Sequence, residues 1–281
     1  MRPTTAVNEI TDPSDPRLAP FRRLKDAAFR RSVEARGPFG GGMVVAEGWL
    51  PVERLLGSRH EPIAVLTSTG RTERALDLLA GRPVTVYSAS PDVITAVVGF
   101  DLHRGIVAVA RRARPLVVDD VIARARHVVV TEGVNDAENL GSLIRSAAAL
   151  GAHALLTDPT TCDPLSRRCI RVSTGWALRL PTAAAPWPGA ITTLRDQGFR
   201  VVALTPRPDA VPITELDAAV GQRTAVLVGA EGPGLSDAAL DAATDRVRIP
   251  MTHGVDSLNV ATAAAIAFHR LFIPQEGHGD R

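Results

Sequence analysis

The sequence predicts an α/β protein with a largely parallel sheet, divided into two domains. Apolar runs that predict strands alternate with segments of helical periodicity along most of the chain, which is the pattern of α/β units. The chain has 281 residues, of which 45% are hydrophobic, so one or two domains with a sizeable core are expected. Aromatic residues make up only 4%, and the core should therefore be aliphatic and rich in alanine.

The first half begins with a polar, proline-punctuated arm over residues 1–16, followed by a basic helical segment over 17–36 and a glycine-rich loop over 37–42. Ser90 and Pro91 are a typical helix start, because serine caps the first turn and proline fits its first position. Strands are predicted at 43–46, 63–66, 84–87 and 106–110, and helices at 47–56, 72–79 and 90–98.

A boundary is predicted near residue 115, where a cluster of arginines and Pro115 interrupts the alternation. The domains are then 1–115 and 116–281. In the second domain, strands are predicted at 127–131, 154–157, 200–204, 224–228 and 246–249, and helices at 139–150, 187–197, 236–242 and 257–272. The tail from residue 274 is polar.

Charge is unevenly divided between these halves. The net charge of the whole chain is +2, whereas residues 1–115 carry +5 and residues 116–281 carry −3. Lys25 is the only lysine, so nearly all of the positive charge is arginine, which is the better fork for phosphate. The preference for arginine over lysine is also explained by codon usage in a GC-rich genome. The basic first half indicates either a polyanionic partner or a solvated charged helix face.

Several function classes are disfavoured. The two cysteines, Cys162 and Cys169, do not have the spacing of a zinc site, and no metal is expected. The first residues contain no apolar signal core, and no stretch reaches the roughly 18 apolar residues of a membrane span. A soluble, cytoplasmic protein without a membrane partner is therefore expected.

Three polar segments follow predicted strands in the second half, and ligands bind at the carboxyl ends of strands in open parallel sheets. The first, over residues 131–145, runs from a strand into a helix opened by Asn139 and Gly141, with Arg145 further along it. A helix start with an arginine nearby suits an anion such as a phosphodiester. The alternative is an ordinary asparagine cap and a surface arginine.

The second segment, over residues 227–234, carries Gly229, Gly232 and Gly234 around Glu231. It lacks the Lys-Ser/Thr ending of a P-loop and the spacing of a dinucleotide-binding loop, so nucleotide hydrolysis and a dehydrogenase are disfavoured. Its glycines indicate close backbone approach or positive φ. A plain strand-to-helix connection capped by Ser236 is the alternative.

The third segment, over residues 249–260, leads into an apolar helix through Ser257, Leu258 and Asn259. Alone, it predicts no more than a capping serine and a buried leucine. His253 in its middle is interpreted as a loop residue.

The first segment contains N-x-G-x-x-x-R at 139–145, the second contains G-x-E-G-x-G at 229–234, and the third contains I-P-M at 249–251 and S-L-N-V at 257–260. In this order, they resemble the three motifs of SpoU/TrmH-type RNA methyltransferases of the SPOUT superfamily. The resemblance covers about residues 125–272, half of the chain. Residues 44–48 and 104–108 are also similar to landmarks of that family's appended ribosomal-protein-like substrate-binding domain.

The resemblance implies a C-terminal α/β knot, a deep trefoil knot, behind an N-terminal ribosomal-protein-like α/β domain that binds RNA. It implies transfer of a methyl group from S-adenosylmethionine to a ribose 2′-hydroxyl of RNA. The appended domain favours ribosomal RNA, and transfer RNA is the alternative. The residues that it assigns to cofactor binding are Thr205, Val228, Gly229, Ile249, Met251 and Leu258.

The catalytic residues that the resemblance implies are Asn139, Arg145, Glu231, Ser257 and Asn259. Arginine is effectively always protonated, so we expect Arg145 to grip a phosphate and stabilise the developing alkoxide rather than to act as a base. Asn139 would orient Arg145 or the ribose. The other three would complete the polar shell.

The resemblance also implies a homodimer packed through the knotted domain, with Ile266, Phe268 and Phe272 contributing to the surface; burial within one subunit is the alternative. Arg167, Arg168 and Arg171 are either an RNA-contact patch or plain surface charge. The competing hypothesis for the whole chain is a non-catalytic RNA-binding or ribosome-assembly protein that has retained the fold.

Overall fold

Two units of structure make up the chain. A computed structural model describes residues 7–22, 24, 42–216, 222–252 and 254–273. Unit 1 comprises Met1–Arg114 and Leu165–Arg179, and unit 2 comprises Pro115–Pro164 and Leu180–Arg281. The division near residue 115 is where the sequence places a boundary, but Leu165–Arg179 groups with unit 1 although it lies within the sequence of the second half.

The described residues form twelve strands, which run as follows in chain order: β1 Val7–Ile10, β2 Met43–Glu47, β3 Glu61–Ser68, β4 Thr85–Ala89, β5 Ile106–Arg111, β6 His127–Glu132, β7 Ala154–Thr157, β8 Thr182–Ala184, β9 Arg200–Leu204, β10 Val211–Pro212, β11 Thr224–Gly229 and β12 Asp245–Arg248.

The α-helices of the same residues are α1 Trp49–Leu56, α2 Thr72–Leu79, α3 Pro91–Val98, α4 Val118–Ile122, α5 Ala137–Ala149, α6 Arg167–Val172, α7 Gly189–Asp196, α8 Asp237–Ala242 and α9 Val260–Phe272. Short 3₁₀ turns lie at Pro16–Phe21, Thr69–Arg71 and Trp176–Leu178. Within this part of the chain, none of the helices has both the length and the apolar character that crossing a membrane requires.

The sheet of unit 1 is mixed. Its strand order is β1-β4-β3-β5-β2, in which β1, β4 and β3 are parallel and β5 runs antiparallel to both β3 and β2. The prediction of a largely parallel sheet is therefore wrong for this unit. The prediction of a polar arm over 1–16 is wrong in part, because Val7–Ile10 pairs with β4 as an edge strand.

The segment Leu165–Arg179 packs within unit 1 through polar and close backbone contacts. Nη1 of Arg167 lies 2.8 Å from Oε2 of Glu47, and both side chains are largely buried, at 13% and 11% exposure. Arg54 donates to the Thr174 hydroxyl at 2.8 Å, and the lack of a side chain at Gly175 lets its backbone lie against Pro51. These contacts explain why the segment groups with unit 1.

The sheet of unit 2 has seven strands in the order β10-β12-β9-β11-β6-β7-β8, and every neighbouring pair is parallel. All strands therefore end at the same edge of the sheet. The chain runs outward from β6 through β7 and β8 and then returns to β9 on the other side. In parallel sheets, such a reversal leaves a crevice at the carboxyl ends of the strands.

The core of each unit is aliphatic and rich in alanine, as the composition predicts. In unit 2, buried valines, leucines and alanines of β6, β7, β9 and β11 pack against α7 and α8. In unit 1, Leu18 and Phe21 pack in one cluster with Met43 of β2 and other buried strand residues. Phe268 and Phe272 are also buried, at 0% and 3% exposure, so their expected place on a dimer surface is wrong; Ile266 is 39% exposed.

Candidate active site

A cavity of about 500 Å³ lies at the carboxyl ends of β9, β11 and β12, where it meets the start of α9. Its lining includes all six residues that the sequence assigns to cofactor binding and three of the five catalytic candidates. Those residues are Thr205, Val228, Gly229, Ile249, Met251 and Leu258, together with Glu231, Ser257 and Asn259.

One wall of the cavity is a tight loop that follows β11. The loop closes on itself, since the Gly234 amide donates to the Ala230 carbonyl at 3.0 Å. A Cβ at Gly229 would lie 2.3 Å from the Gly234 carbonyl carbon and 2.4 Å from the Leu235 nitrogen, so no other residue fits there without moving the backbone. Gly232 and Gly234 have φ of +89° and +70°, which side chains disfavour. The glycines thus shape the loop.

Asn259 connects three separate segments at the mouth of the cavity. It is the N-cap of α9, because its Oδ1 accepts the backbone N–H groups of Ala261 at 2.9 Å and Thr262 at 3.3 Å. Its Nδ2 donates to Oδ1 of Asn139 at 2.7 Å and to Oε1 of Glu231 at 2.9 Å. The three motifs therefore meet in one hydrogen-bond network.

The capping bonds determine which groups of this network donate hydrogen bonds and which accept them. Since backbone N–H groups only donate, they require oxygen at Oδ1 of Asn259, and its Nδ2 must then be the donor to the other two residues. Asn139 consequently accepts through Oδ1 and keeps its own amide protons. Oε2 of Glu231 accepts no hydrogen bond from the described residues. The network thus offers one donor group and one acceptor oxygen to a substrate.

Arg145 lies apart from this network. It is exposed on α5, and within the described parts of the chain it makes no hydrogen bond or ion pair. It lies six positions after Asn139, which corresponds to about 9 Å along a helix and about 120° around it. The alternative of Asn139 as a helix cap is wrong, because Asp136 caps α5 by accepting the amides of Glu138 and Asn139 at 2.9 and 2.8 Å.

Two further sequence expectations have different outcomes. Arg167 is engaged by Glu47 and lies over the Phe100 ring with 4.7 Å between guanidinium carbon and ring centroid, so it does not belong to an exposed arginine patch. His253 lies outside the described residues. Ser257 is exposed beside the cavity but does not cap α9, since the helix begins at Val260 with Asn259 as its cap.

Sequence reasoning missed two carboxylates at the same edge of the sheet. Asp158 follows β7 and accepts hydrogen bonds from the backbone amides of Gly133, Thr160 and Thr161 at 2.9–3.0 Å. Burial by itself would raise the pKa of Asp158, but its hydrogen bonds with Thr160, Thr161 and Gly133 outweigh burial and lower it. Asp158 therefore stays ionised and orders the loop after β6.

Glu132, at the end of β6, is the second missed carboxylate. Its Oε1 accepts the indole N–H of Trp187 at 2.6 Å, and its Oε2 accepts the backbone N–H of Ser236 at 2.8 Å. The available signal was its position, since it directly follows the predicted apolar strand 127–131 at the edge where the three motifs meet.

The lining suits a nucleoside cofactor that carries positive charge. Apolar side chains of Leu204, Val228 and Ile249 form walls for a flat ring, and exposed backbone of the loop supplies donors and acceptors. Of the described residues that line the cavity, Glu231 alone carries a charge. A carboxylate at the rim with no competing cation is favourable for a sulfonium group.

Comparisons with known proteins show to which family the chain is similar. The model of the SpoU rRNA Methylase family matches residues 126–269. An uncharacterized tRNA/rRNA methyltransferase of Mycobacterium tuberculosis is 49% identical over 265 residues, which cover 94% of this chain and 91% of that protein. The 23S rRNA (adenosine(1067)-2′-O)-methyltransferase of Streptomyces azureus is 28% identical, with 94% and 96% covered.

Solved structures are similar over both units. The AdoMet-bound rRNA methyltransferase of Sinorhizobium meliloti has 26% identity and a TM-score of 0.77, and the match covers 94% of this chain and 97% of that one. The α/β fold with one mixed and one parallel sheet is thus shared with that structure over almost its full length.

Proposed function

Because the chain belongs to the SpoU rRNA methylase family and is an S-adenosylmethionine-dependent methyltransferase, we propose that it methylates a ribose 2′-hydroxyl of RNA, in ribosomal rather than transfer RNA. The observation that carries this proposal is the Asn139–Asn259–Glu231 network at the mouth of the cavity. The preference for ribosomal RNA rests on the 23S rRNA enzyme of Streptomyces azureus, which matches along almost the whole chain.

S-adenosylmethionine, when bound, supplies an electrophilic methyl group on a sulfonium. Thr205, Val228, Gly229, Ile249, Met251 and Leu258 would hold it, since all of them line the cavity. We propose that these walls belong to a deep trefoil knot of the C-terminal α/β domain. The proposal of a knot rests on the family and on the fact that three segments distant in sequence line one cavity.

The chain's own residues must place a weakly acidic hydroxyl and ease the loss of its proton. Oε2 of Glu231 is the acceptor oxygen available for that hydroxyl, and the Asn139 amide can donate to a ribose or phosphate oxygen. Arg145 would bind the neighbouring phosphate and stabilise the alkoxide as it forms. Its exposed position without an internal partner among the described residues leaves the guanidinium available for this purpose. Ser257 would complete the polar shell.

The RNA itself would dock on unit 1, the ribosomal-protein-like domain expected over residues 1–115. Arg71, Arg74 and Arg104 are exposed near the edge where β3 ends and β5 begins, and none of them has a carboxylate partner within the described residues. The guanidinium carbon of Arg74 lies 4.0 Å from the centroid of the Trp49 ring. The stacked pair makes a flat surface against which an unstacked base can pack. Arg111 instead pairs with Glu61 at 2.6 Å.

A homodimer through unit 2 is part of the proposal. Val255, Leu258 and Ile266 are 53%, 36% and 39% exposed on and before α9, which leaves apolar surface near the cavity for a second copy. Light scattering with the purified protein tests this, and a monomer at assay concentrations would contradict it.

The decisive experiment has two parts. Calorimetry should detect S-adenosylmethionine binding, and 2′-O-methyl mapping of ribosomal and transfer RNA from cells with and without the gene should show one site that depends on it. Methylation in transfer RNA alone would overturn the ribosomal preference. Binding of RNA without cofactor binding or methylation would instead favour the non-catalytic alternative.

A further inference from the structure

Glu132 contacts both ends of loop 230–235, which forms one wall of the cavity. Its backbone lies opposite Gly229 in the β6–β11 ladder, at the point where the loop begins. Its side chain accepts the amide of Ser236, which follows the loop and caps α8. Between these two anchors lie Glu231 and the glycines that line the cavity.

The other carboxylate oxygen of Glu132 is fixed by Trp187. The indole N–H donates to Oε1 at 2.6 Å, and the ring packs against the core of unit 2. The carboxylate is therefore held by two groups, the Ser236 amide at the start of α8 and the indole of Trp187, which precedes α7. Because both donors are N–H groups that can only donate, the site requires a side chain with two acceptor oxygens.

We propose that Glu132 is a positioning residue for the reaction: it keeps loop 230–235 in the conformation that binds S-adenosylmethionine and that presents Glu231 to Asn259. The inference rests on the proposed function. Glu132 is absent from the cavity lining and acts through the loop, so its loss should weaken cofactor binding without removing a group that touches substrate.

The substitution Glu132→Gln is a sharp test because glutamine has nearly the same shape but only one acceptor. Whichever N–H the glutamine oxygen accepts, its NH₂ group then faces the other donor. The loop should lose its anchor at Ser236 or move away from Trp187. We expect the Kd for S-adenosylmethionine to rise about tenfold, the size expected when one hydrogen bond to a charged group is removed.

A second variant, Trp187→Phe, makes this a double-mutant cycle. In the Trp187→Phe background the indole donor is gone, so the glutamine oxygen can serve Ser236 while its NH₂ faces no donor. Glu132→Gln should then cost about threefold or less in cofactor affinity, against about tenfold in the wild-type background. Glu215→Gln, at an exposed carboxylate of the same unit, is the matched control and should leave the Kd unchanged.

Three measurements separate positioning from a general loss of structure. In Glu132→Gln, hydrogen exchange should rise in residues 230–236 and not in β6 or β9, and the RNA Kd should stay at the wild-type value. The KM for S-adenosylmethionine should rise more than the KM for RNA. An unchanged cofactor Kd in Glu132→Gln, or an equal cost in both backgrounds, would overturn the inference. Failure of the wild-type protein to bind the cofactor would overturn the proposed function instead.

Discussion

Nδ2 of Asn259 lies 2.9 Å from Oε1 of Glu231, which joins the start of α9 to the loop after β11. The same asparagine caps its own helix, so one side chain both stabilises α9 and orients the carboxylate beside the cavity. These two roles use different atoms. Substitutions can therefore separate them.

Replacing Asn259 by aspartate or alanine should distinguish capping from orientation. Aspartate keeps an oxygen that can cap α9 but has no amide donor for Asn139 and Glu231, whereas alanine removes both. We expect both variants to lose most methyl transfer, whereas loss of the helix cap, which costs about 1 kcal/mol, is specific to Asn259→Ala. Urea unfolding and a radiolabelled methyl-transfer assay measure the two effects. Full activity in Asn259→Asp would contradict the role of the amide.

Gly229→Ala should strongly weaken the binding of S-adenosylmethionine. The new Cβ would meet backbone atoms of Gly234 and Leu235 at 2.3–2.5 Å, so the loop must move away from β11. The cost of such overpacking is about 1–3 kcal/mol, which corresponds to a rise in Kd of roughly ten- to a hundredfold. Calorimetric titration measures it. Gly189→Ala, where a Cβ has open space, serves as the control and should bind as the wild type does.

Arg145→Ala should abolish turnover while S-adenosylmethionine still binds. The side chain is exposed and has no bonding partner among the described residues, so its loss should change the stability by less than about 0.5 kcal/mol. Single-turnover rates together with cofactor titration show the separation. Arg124→Ala, at another exposed arginine of unit 2, should keep full activity. Retained activity in Arg145→Ala would remove it from the site.

RNA binding should depend steeply on salt, and the dependence should decrease when arginines of unit 1 are removed. Each arginine that no longer neutralises a phosphate lowers the slope of log K against log salt by about 0.7–0.9, so Arg71→Ala with Arg104→Ala should lower it by about 1.5. Filter binding of a ribosomal RNA fragment at several salt concentrations measures the slope. Arg195→Ala, on α7, should leave it unchanged. A flat salt dependence in the wild type would count against RNA docking by charge.

His60 should make unit 1 less stable in acid. Burial, with Arg59 and Arg112 nearby, lowers the pKa of His60 to about 4, and its Nδ1 accepts the Ala113 amide at 3.1 Å. The unfolded histidine, with a pKa near 6.5, takes up its proton first, so stability is full above about pH 6.5 and falls as the pH drops towards 4. The expected loss is about 2 kcal/mol by pH 5.

Urea unfolding at pH 7.5 and pH 5 measures this loss. His60→Asn offers the amide a neutral acceptor that does not titrate, so its stability should change less over the same range. An identical change in both proteins would show that other groups cause the acid sensitivity.

Much of the secondary structure was predictable because it depends on local patterns. Strands β7 and β9 and helix α2 have the predicted bounds, and α3 starts with the predicted Ser90 cap. Strand β1 was missed because Val7–Ile10 is short and its two central residues, Asn8 and Glu9, are poor strand formers, so it becomes a strand by pairing with β4. The helix α6 was missed for the same kind of reason, since it is stabilised by unit 1 contacts distant in sequence.

The sequence by itself determined most strands and helices of the second unit, although not β8, β10 or α4, together with the three motifs and the family that these motifs indicate. Only the tertiary structure decided how the motif residues meet: Asn139 and Asn259 are 120 residues apart, and the hydrogen bond between them exists because β6, β11 and α9 meet at one edge of a parallel sheet. It also decided that Asp136 caps α5, that Phe268 is core, and that Glu132 anchors the loop. Such outcomes depend on partners brought together by folding, which periodicity and spacing do not encode.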